Sequence, residues 1–143
     1  MVSSTYEAAL FDLFGTLVDG RGNACAGARR VLDALGTTPW AIVTSCSHPL
    51  AAELLRRAEL PEPPVLITAD DVSRSKPSPE GYLRAARLLE VAPERCIVFE
   101  DSGSGLAAAR AAGMRAVSVL CGWEHIELAV ESGELRVREG KTL

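Results

Sequence analysis

Apolar residues along this chain come in two textures. Runs of three to five, each closed by a polar or glycine-rich stretch, alternate with segments whose apolar residues recur every three or four positions. The first texture fits strands buried on both faces of a parallel sheet, and the second fits helices packed on that sheet. The strand-like runs are Ala8–Phe11, Trp40–Val43, Val65–Ile67, Cys96–Phe99 and Ala116–Leu120. Ala28, Val31, Leu32 and Leu35 form the first helical stripe, stopped by Gly36. A second helix opens at Ser47 and Pro49, shows Leu50, Leu54 and Ala58 on one face, and ends before Pro61, Pro63 and Pro64. Ser78 as N-cap and Pro79 as the first helical residue start a third, with Tyr82, Ala86 and Leu89 on one face and Pro93 as its break. An alanine-rich helix follows Ser102 and Gly103 and stops at Gly113. Strands alternating with helices predict right-handed crossovers and an α/β fold with a covered parallel sheet. In the tail, Ile126, Leu128 and Ala129 suggest one more helix, and Leu135–Arg138 alternates like an edge strand.

Bulk properties narrow the classes. A length of 143 residues suits a single domain, 1–143, with one core. The net charge of −4 carries no block of like charge, which argues against nucleic acid and anionic membrane as partners. A phosphate ligand would therefore need local donors. Cys25, Cys46, Cys96 and Cys121 show no C-x-x-C spacing, and three lie in or beside apolar runs. They read as buried, reduced thiols, and the chain as cytoplasmic. The N-terminus is polar and its first apolar run is broken by Asp12, unlike a signal peptide; no run approaches the ~20 apolar residues of a membrane span.

Candidate chemistry gathers where the strands end. Asp12 follows the first strand and leads into the turn Gly15-Thr16; Thr44-Ser45 follows the second; Lys76 lies in the loop beyond the third; Glu100-Asp101 follows the fourth. Open α/β sheets bind ligands at this carboxyl edge. Singly, each has a plain structural role: a turn-capping Asp, a capping Thr-Ser pair, a solvated lysine, acids at a helix start. Jointly they suit phosphoryl transfer. A carboxylate can attack phosphorus and form an aspartyl-phosphate. Asp12 and Asp101 can ligate Mg²⁺. Lys76, the Thr44 hydroxyl and the backbone N–H groups around Gly15 and Ser45 can neutralise the phosphoryl oxygens.

These motifs, Phe11-Asp12-Leu13-Phe14-Gly15-Thr16-Leu17, Ile42-Val43-Thr44-Ser45, Ser75-Lys76-Pro77-Ser78-Pro79-Glu80 and Val98-Phe99-Glu100-Asp101-Ser102-Gly103-Ser104-Gly105 with Leu106 to Ala109, resemble those of the haloacid dehalogenase-like hydrolase superfamily, its sugar- and polyol-phosphatase branch in particular. The resemblance covers residues 8–120. It implies a three-layer, Rossmann-like core with strand order 3-2-1-4-5. It also implies Asp12 as nucleophile, Thr44 and Lys76 on the phosphoryl group, Gly15, Thr16 and Ser45 around it, and Mg²⁺ on Asp12, Asp101, Glu100 and the Phe14 carbonyl.

Two departures stand out. The family's phosphatases carry a second Asp two residues after the nucleophile, as general acid and base; this chain has Phe14 there, and such help is worth roughly 10²–10⁴ in rate. Haloacid dehalogenases also place an aromatic there, but they work without metal, whereas Glu100-Asp101 reads as metal-binding. Relatives also insert a helical cap between the first and second motifs; here only 22 residues, Val18 to Pro39, are available, so the cap is missing. The expected function is a Mg²⁺-dependent phosphohydrolase acting through an aspartyl-phosphate on Asp12. Its substrate is a small, sugar- or polyol-phosphate-like metabolite or a larger phosphorylated molecule, with a homo-oligomer one means of shielding the open site. The alternatives are a catalytically weak phospho-ligand or protein-binding module and a minimal dehalogenase. Among lesser candidates, His48 and Arg21 read as capping and solvated residues, Cys46 as pocket floor or packing, and Trp40 and Trp123 as packing.

Overall fold

A computed structural model describes residues 2–140. The five apolar runs become five parallel strands, β2 (Ala8–Phe11), β3 (Trp40–Val43), β4 (Val65–Ile67), β5 (Cys96–Glu100) and β6 (Arg115–Ser118), preceded by β1 (Val2–Tyr6). Their spatial order is β4-β3-β2-β5-β6, which counted along the chain is the expected 3-2-1-4-5. Every residue of β2 and β5 is buried. That explains their unbroken apolar sequence, since a strand covered on both faces has no solvent side to leave polar.

Alternation sorts the side chains into two cores. Ala9, Phe11, Ile42, Ile97 and Phe99 face one layer, with α1 (Ala28–Asp33) and α2 (His48–Arg57) packed over them. Ala8, Leu10, Ala41, Val43, Cys96 and Val98 face the other, under α3 (Glu80–Leu89) and α4 (Gly103–Ala111). On the first side Phe11 stacks on Phe99 with ring centroids 5.3 Å apart, and Trp123 tilts against both at 5.8 and 5.1 Å. The helix ends follow the sequence signals. Ser47 and Ser102 accept the N–H groups of Leu50 and Gly105 at the starts of α2 and α4. Ser78 accepts from Glu80, so α3 begins one residue after Pro79. Of the residues expected on the buried face of α2 and at its end, Leu54 and Ala58 are buried, whereas Leu50 is half exposed and Ala51 and Leu55 complete the face.

The tail corrects the sequence reading. Ile126, Leu128 and Ala129 belong to a strand, β7 (Ile126–Glu131), which turns at Ser132-Gly133, both at positive φ, into β8 (Glu134–Glu139). Ile126 and Leu128 are buried while Glu127 is exposed, a period of two that fits the pleat rather than a helix turn. β8 is not an edge strand but the centre of an antiparallel sheet ordered β1-β8-β7. Leu135 and Val137 from this sheet join the Phe11 core.

The cysteine reading is corrected as well. Cys25 and Cys121 form a disulfide, with Cα atoms 5.0 Å apart; Cys46 and Cys96 are free. A bridge between Ala26 and Gly122 lays the two cysteine segments side by side, although 96 residues separate the partners in sequence. Spacing rules look for neighbours along the chain and miss such a pair. Disulfides persist in oxidising surroundings, so the cysteines no longer support a cytoplasmic location. Among the described residues no helix is long and apolar enough to cross a membrane. Between β2 and β3 the chain makes a loop and the short α1, with no cap inserted.

Candidate active site

The strand register assembles the site. Phe11 is paired with Ile42 on one side and Phe99 on the other. The next residues, Asp12, Val43 and Glu100, therefore form one row at the carboxyl edge of three adjacent strands. Asp12 continues the ladder by donating its N–H to the Phe99 carbonyl at 3.0 Å. The turn that follows is closed by Gly15 N–H to Val18 O at 2.7 Å, with Gly15 at φ 87°. It sends Thr16 inward, fully buried, and leaves Phe14 outside, 51% exposed.

Lys76 reaches into this row. Its Nζ donates to Asp12 Oδ1 at 2.8 Å, to the Val43 carbonyl at 2.9 Å and to Glu100 Oε2 at 2.5 Å, which uses all three ammonium donors. The Thr16 hydroxyl lies 3.3 Å from Asp12 Oδ2 and 3.5 Å from Asp101 Oδ1, close enough to donate to either carboxylate. Thr44 is buried and its Oγ1 accepts the Cys46 N–H at 3.1 Å; Ser45 is exposed at the rim. The structure thus brings Asp12, Thr16, Thr44, Lys76, Glu100 and Asp101 together. Asp12, Thr44, Lys76 and Asp101 line an open bowl of about 550 Å³, with Phe14 and Leu50 also in its wall.

Two further residues belong to the site and were read from sequence as packing alone. Tyr82, fully buried on α3, donates its hydroxyl to the same Glu100 oxygen that Lys76 contacts. Glu100 has the parity of Cys96 and Val98, whose side chains face α3, so a phenol in an otherwise Ala/Leu stripe was the available signal. Trp123, fully buried in the tail, donates Nε1 to the Thr16 carbonyl at 3.0 Å and so pins the turn after Asp12. His48 engages Asp70 through its backbone N–H, and its side chain lines a separate groove with Leu55 and Arg56. The Asp19 carboxylate accepts the backbone N–H groups of Arg21 and Asn23, which hold its pKa low.

The arrangement suits a hard cation. Asp12, Glu100 and Asp101 offer oxygens within 4.8 Å of one another. Glu100 Oε1 is buried without a hydrogen-bond partner, a costly state that a cation or its water would relieve. The backbone closes tightly on two of these carboxylates. A Cβ on Gly15 would fall 2.1 Å from Asp101 Oδ2, and one on Gly105 only 2.0 Å from Glu100 Cδ. Oxygen donors, two of them carboxylates held by neighbouring backbone, match the ligand preference of Mg²⁺.

Burial pushes the Asp12 carboxyl up to about 7; the Lys76 ammonium opposes this and the Glu100 charge reinforces it. In cation-free protein the folded state therefore retains a proton on Asp12 above its ordinary value of 3.8. Where the folded state binds more protons, stability falls as pH rises, here between about 4 and 7. Melting in EDTA should show this as a difference. The advantage of Asp12→Asn over the parent should widen from pH 5 to pH 8, and an advantage that narrows would contradict the assignment.

The profile of the haloacid dehalogenase-like hydrolases matches residues 23–113, and the chain belongs to that family. It is 47% identical over 81 residues to hexitol phosphatase A of Escherichia coli (strain K12), a match covering 57% of this chain and 38% of that protein. With the fructose-1-phosphate phosphatase YqaB of the same strain it shares 40% identity over 85 residues, covering 59% and 45%. The chain spans less than half the length of these two curated relatives. Its fold matches a crystal structure of a HAD family hydrolase from Deinococcus radiodurans R1 with bound phosphate and sodium. That match has a TM-score of 0.76 and 25% identity, over 80% of this chain and 81% of that one.

Proposed function

We propose that this chain is a Mg²⁺-dependent phosphohydrolase that moves a phosphoryl group from a small phosphorylated metabolite to Asp12 and then to water. The observation that carries this reading is the constellation at Asp12: a buried carboxylate facing the bowl, an ammonium on one of its oxygens, and two more carboxylates within 4.8 Å. Likeness to hexitol phosphatase A and to the fructose-1-phosphate phosphatase YqaB supports the reaction class.

Asp12 supplies the attacking oxygen. Lys76 neutralises charge on Asp12 and Glu100 and adds positive charge beside the incoming phosphoryl oxygens, to which the Thr44 hydroxyl and the N–H groups near Gly15 and Ser45 can donate. Thr16 steers Asp12 and Asp101. Asp12, Asp101, Glu100 and the Phe14 carbonyl would hold Mg²⁺, which when bound supplies positive charge for the phosphoryl oxygens. A dehalogenase reading meets an obstacle in this cluster. Three carboxylates against one ammonium would repel an anionic haloacid unless a cation were present.

Turnover of p-nitrophenyl phosphate with Mg²⁺ and with EDTA tests the proposal. Release that EDTA abolishes and Mg²⁺ restores is expected. Phosphate binding without turnover would favour a phospho-ligand-binding module, the reading that the absence of an acid at Phe14 favours. Metal-independent halide release from haloacids would favour the dehalogenase.

A further inference from the structure

The wall of the bowl carries apolar side chains beside its polar ones. Phe14 and Leu50 stand in it 51% and 49% exposed, side chains that neither core accounts for. Among the described residues that line the bowl there is no histidine, and no carboxylate besides Asp12 and Asp101, to protonate a departing alkoxide. Lys76 has each of its three donors engaged, and Asp12 and Asp101 belong to the attack and cation positions. Outside the lining, His48 belongs to another groove, and the backbone N–H groups of Asn23 and Arg21 hold the Asp19 carboxyl below its usual range. The wall's hydroxyls are also partly committed. Ser47 and Ser102 each accept a capping N–H at α2 and α4, Ser104 shares a hydrogen bond with Ser102, and Ser45 stands exposed at the rim.

We infer that the leaving group this site handles is aromatic, so that its substrate is a small aryl phosphate rather than a sugar phosphate; the inference rests on the phosphohydrolase reading above. An aryl ring can lie against Phe14 and Leu50, where ring contacts favour it over a polyol. Its oxygen can also leave without an acid. An Asp12 oxygen donates a lone pair to phosphorus as the bond from phosphorus to the aryl oxygen breaks. The bonding pair departs on that oxygen as a phenolate, with a conjugate acid of pKa about 10, as for tyrosine. Water then adds its oxygen to phosphorus, the Asp12 carboxylate is released, and the water's protons end on phosphate and solvent.

The two halves of the inference, ring recognition and unassisted departure, separate experimentally. With Mg²⁺ and the intact chain, kcat and KM are measured for phenyl, benzyl, acetyl and glucose 6-phosphates. Phenyl phosphate is expected to exceed glucose 6-phosphate in kcat/KM by roughly 10²-fold or more, the rate that a positioned acid would otherwise equalise. Benzyl phosphate, with a ring but an alkoxide leaving group, should share the KM of phenyl phosphate within about threefold yet turn over as slowly as glucose 6-phosphate. Phe14→Ala with Leu50→Ala should raise KM for both ring-bearing substrates roughly 3- to 10-fold, and Leu50→Ala alone should leave acetyl phosphate unchanged. Phe14→Leu, which keeps bulk without a ring, should fall between. Glucose 6-phosphate within tenfold of phenyl phosphate, or ring-substrate KM values that ignore the double substitution, would overturn the inference while leaving the phosphohydrolase reading intact. The same holds if the double substitution converts a dimer to a monomer in sedimentation with ring-substrate KM unchanged, because the apolar wall is then a subunit contact. No turnover of any substrate, acetyl phosphate included, overturns both.

Discussion

Asp12→Asn should reduce phosphate release by about 10³-fold or more, because an amide oxygen is a poor nucleophile and the neighbouring Glu100 and Asp101 are assigned to the cation. The same substitution should not weaken the fold. Asp12 is one of three clustered carboxylates facing a single ammonium, and burial disfavours its charge. Removing that charge leaves Lys76 bonded to Glu100 and the Val43 carbonyl. In EDTA the variant should melt no lower than its parent, and circular dichroism should be unchanged. Turnover near the parental level, in protein free of contaminating phosphatase, would remove Asp12 from the nucleophile role.

Phe14→Asp should act in the opposite direction on sugar phosphates, raising kcat for glucose 6-phosphate by roughly 10²-fold, the low end of what a general acid contributes. The backbone carbonyl is retained and a carboxyl is placed two residues beyond Asp12. Because Phe14 is half exposed, the loss of its ring should cost little packing, within the about 0.5 kcal/mol usual for surface changes. The new charge does join a crowded acidic site, so comparison belongs in saturating Mg²⁺. Phenyl phosphate should gain much less, flattening the dependence on leaving-group pKa. If both substrates respond equally, or neither responds, proton supply does not limit this site and another group provides it.

The central fold was legible because its strands are buried on both faces. Ala8–Phe11 and Cys96–Phe99 leave no period to misread, and each ends at a carboxylate. The tail was harder. Ile126 and Ala129 stand three apart, a spacing compatible with a helix, and only the Ser132-Gly133 turn, with both residues at positive φ, distinguishes a hairpin. β1, with Ser3, Ser4 and Thr5 in its middle, carries no apolar pattern, and its pairing with β8 is a long-range event. Asp12, Lys76, Glu100 and Asp101 could be gathered from sequence because crossover topology places every strand's end on one edge. Thr16, expected beside the phosphate, has its hydroxyl within reach of Asp12 and Asp101, a contact that the sequence pattern does not reveal. Tyr82 and Trp123 were missed for a common reason: apolar periodicity counts an aromatic residue as filling and ignores the polar atom at its tip.

The close approach of Gly15 to Asp101, and of Gly105 to Glu100, also constrains how such a site can change by descent. At residue 105 the glycine supplies the space that the buried Glu100 carboxylate occupies, so these two cannot be replaced in either order, whereas Gly15, at φ 87°, is held by its own backbone whatever residue 101 carries. A lineage that first shortens Glu100 can then admit a side chain at residue 105 freely. Restoring the glutamate afterwards would meet a blocked position until the glycine returned. The acidic cluster is therefore easier to lose than to regain, and a descendant that lost catalysis would drift along a path whose steps do not simply reverse.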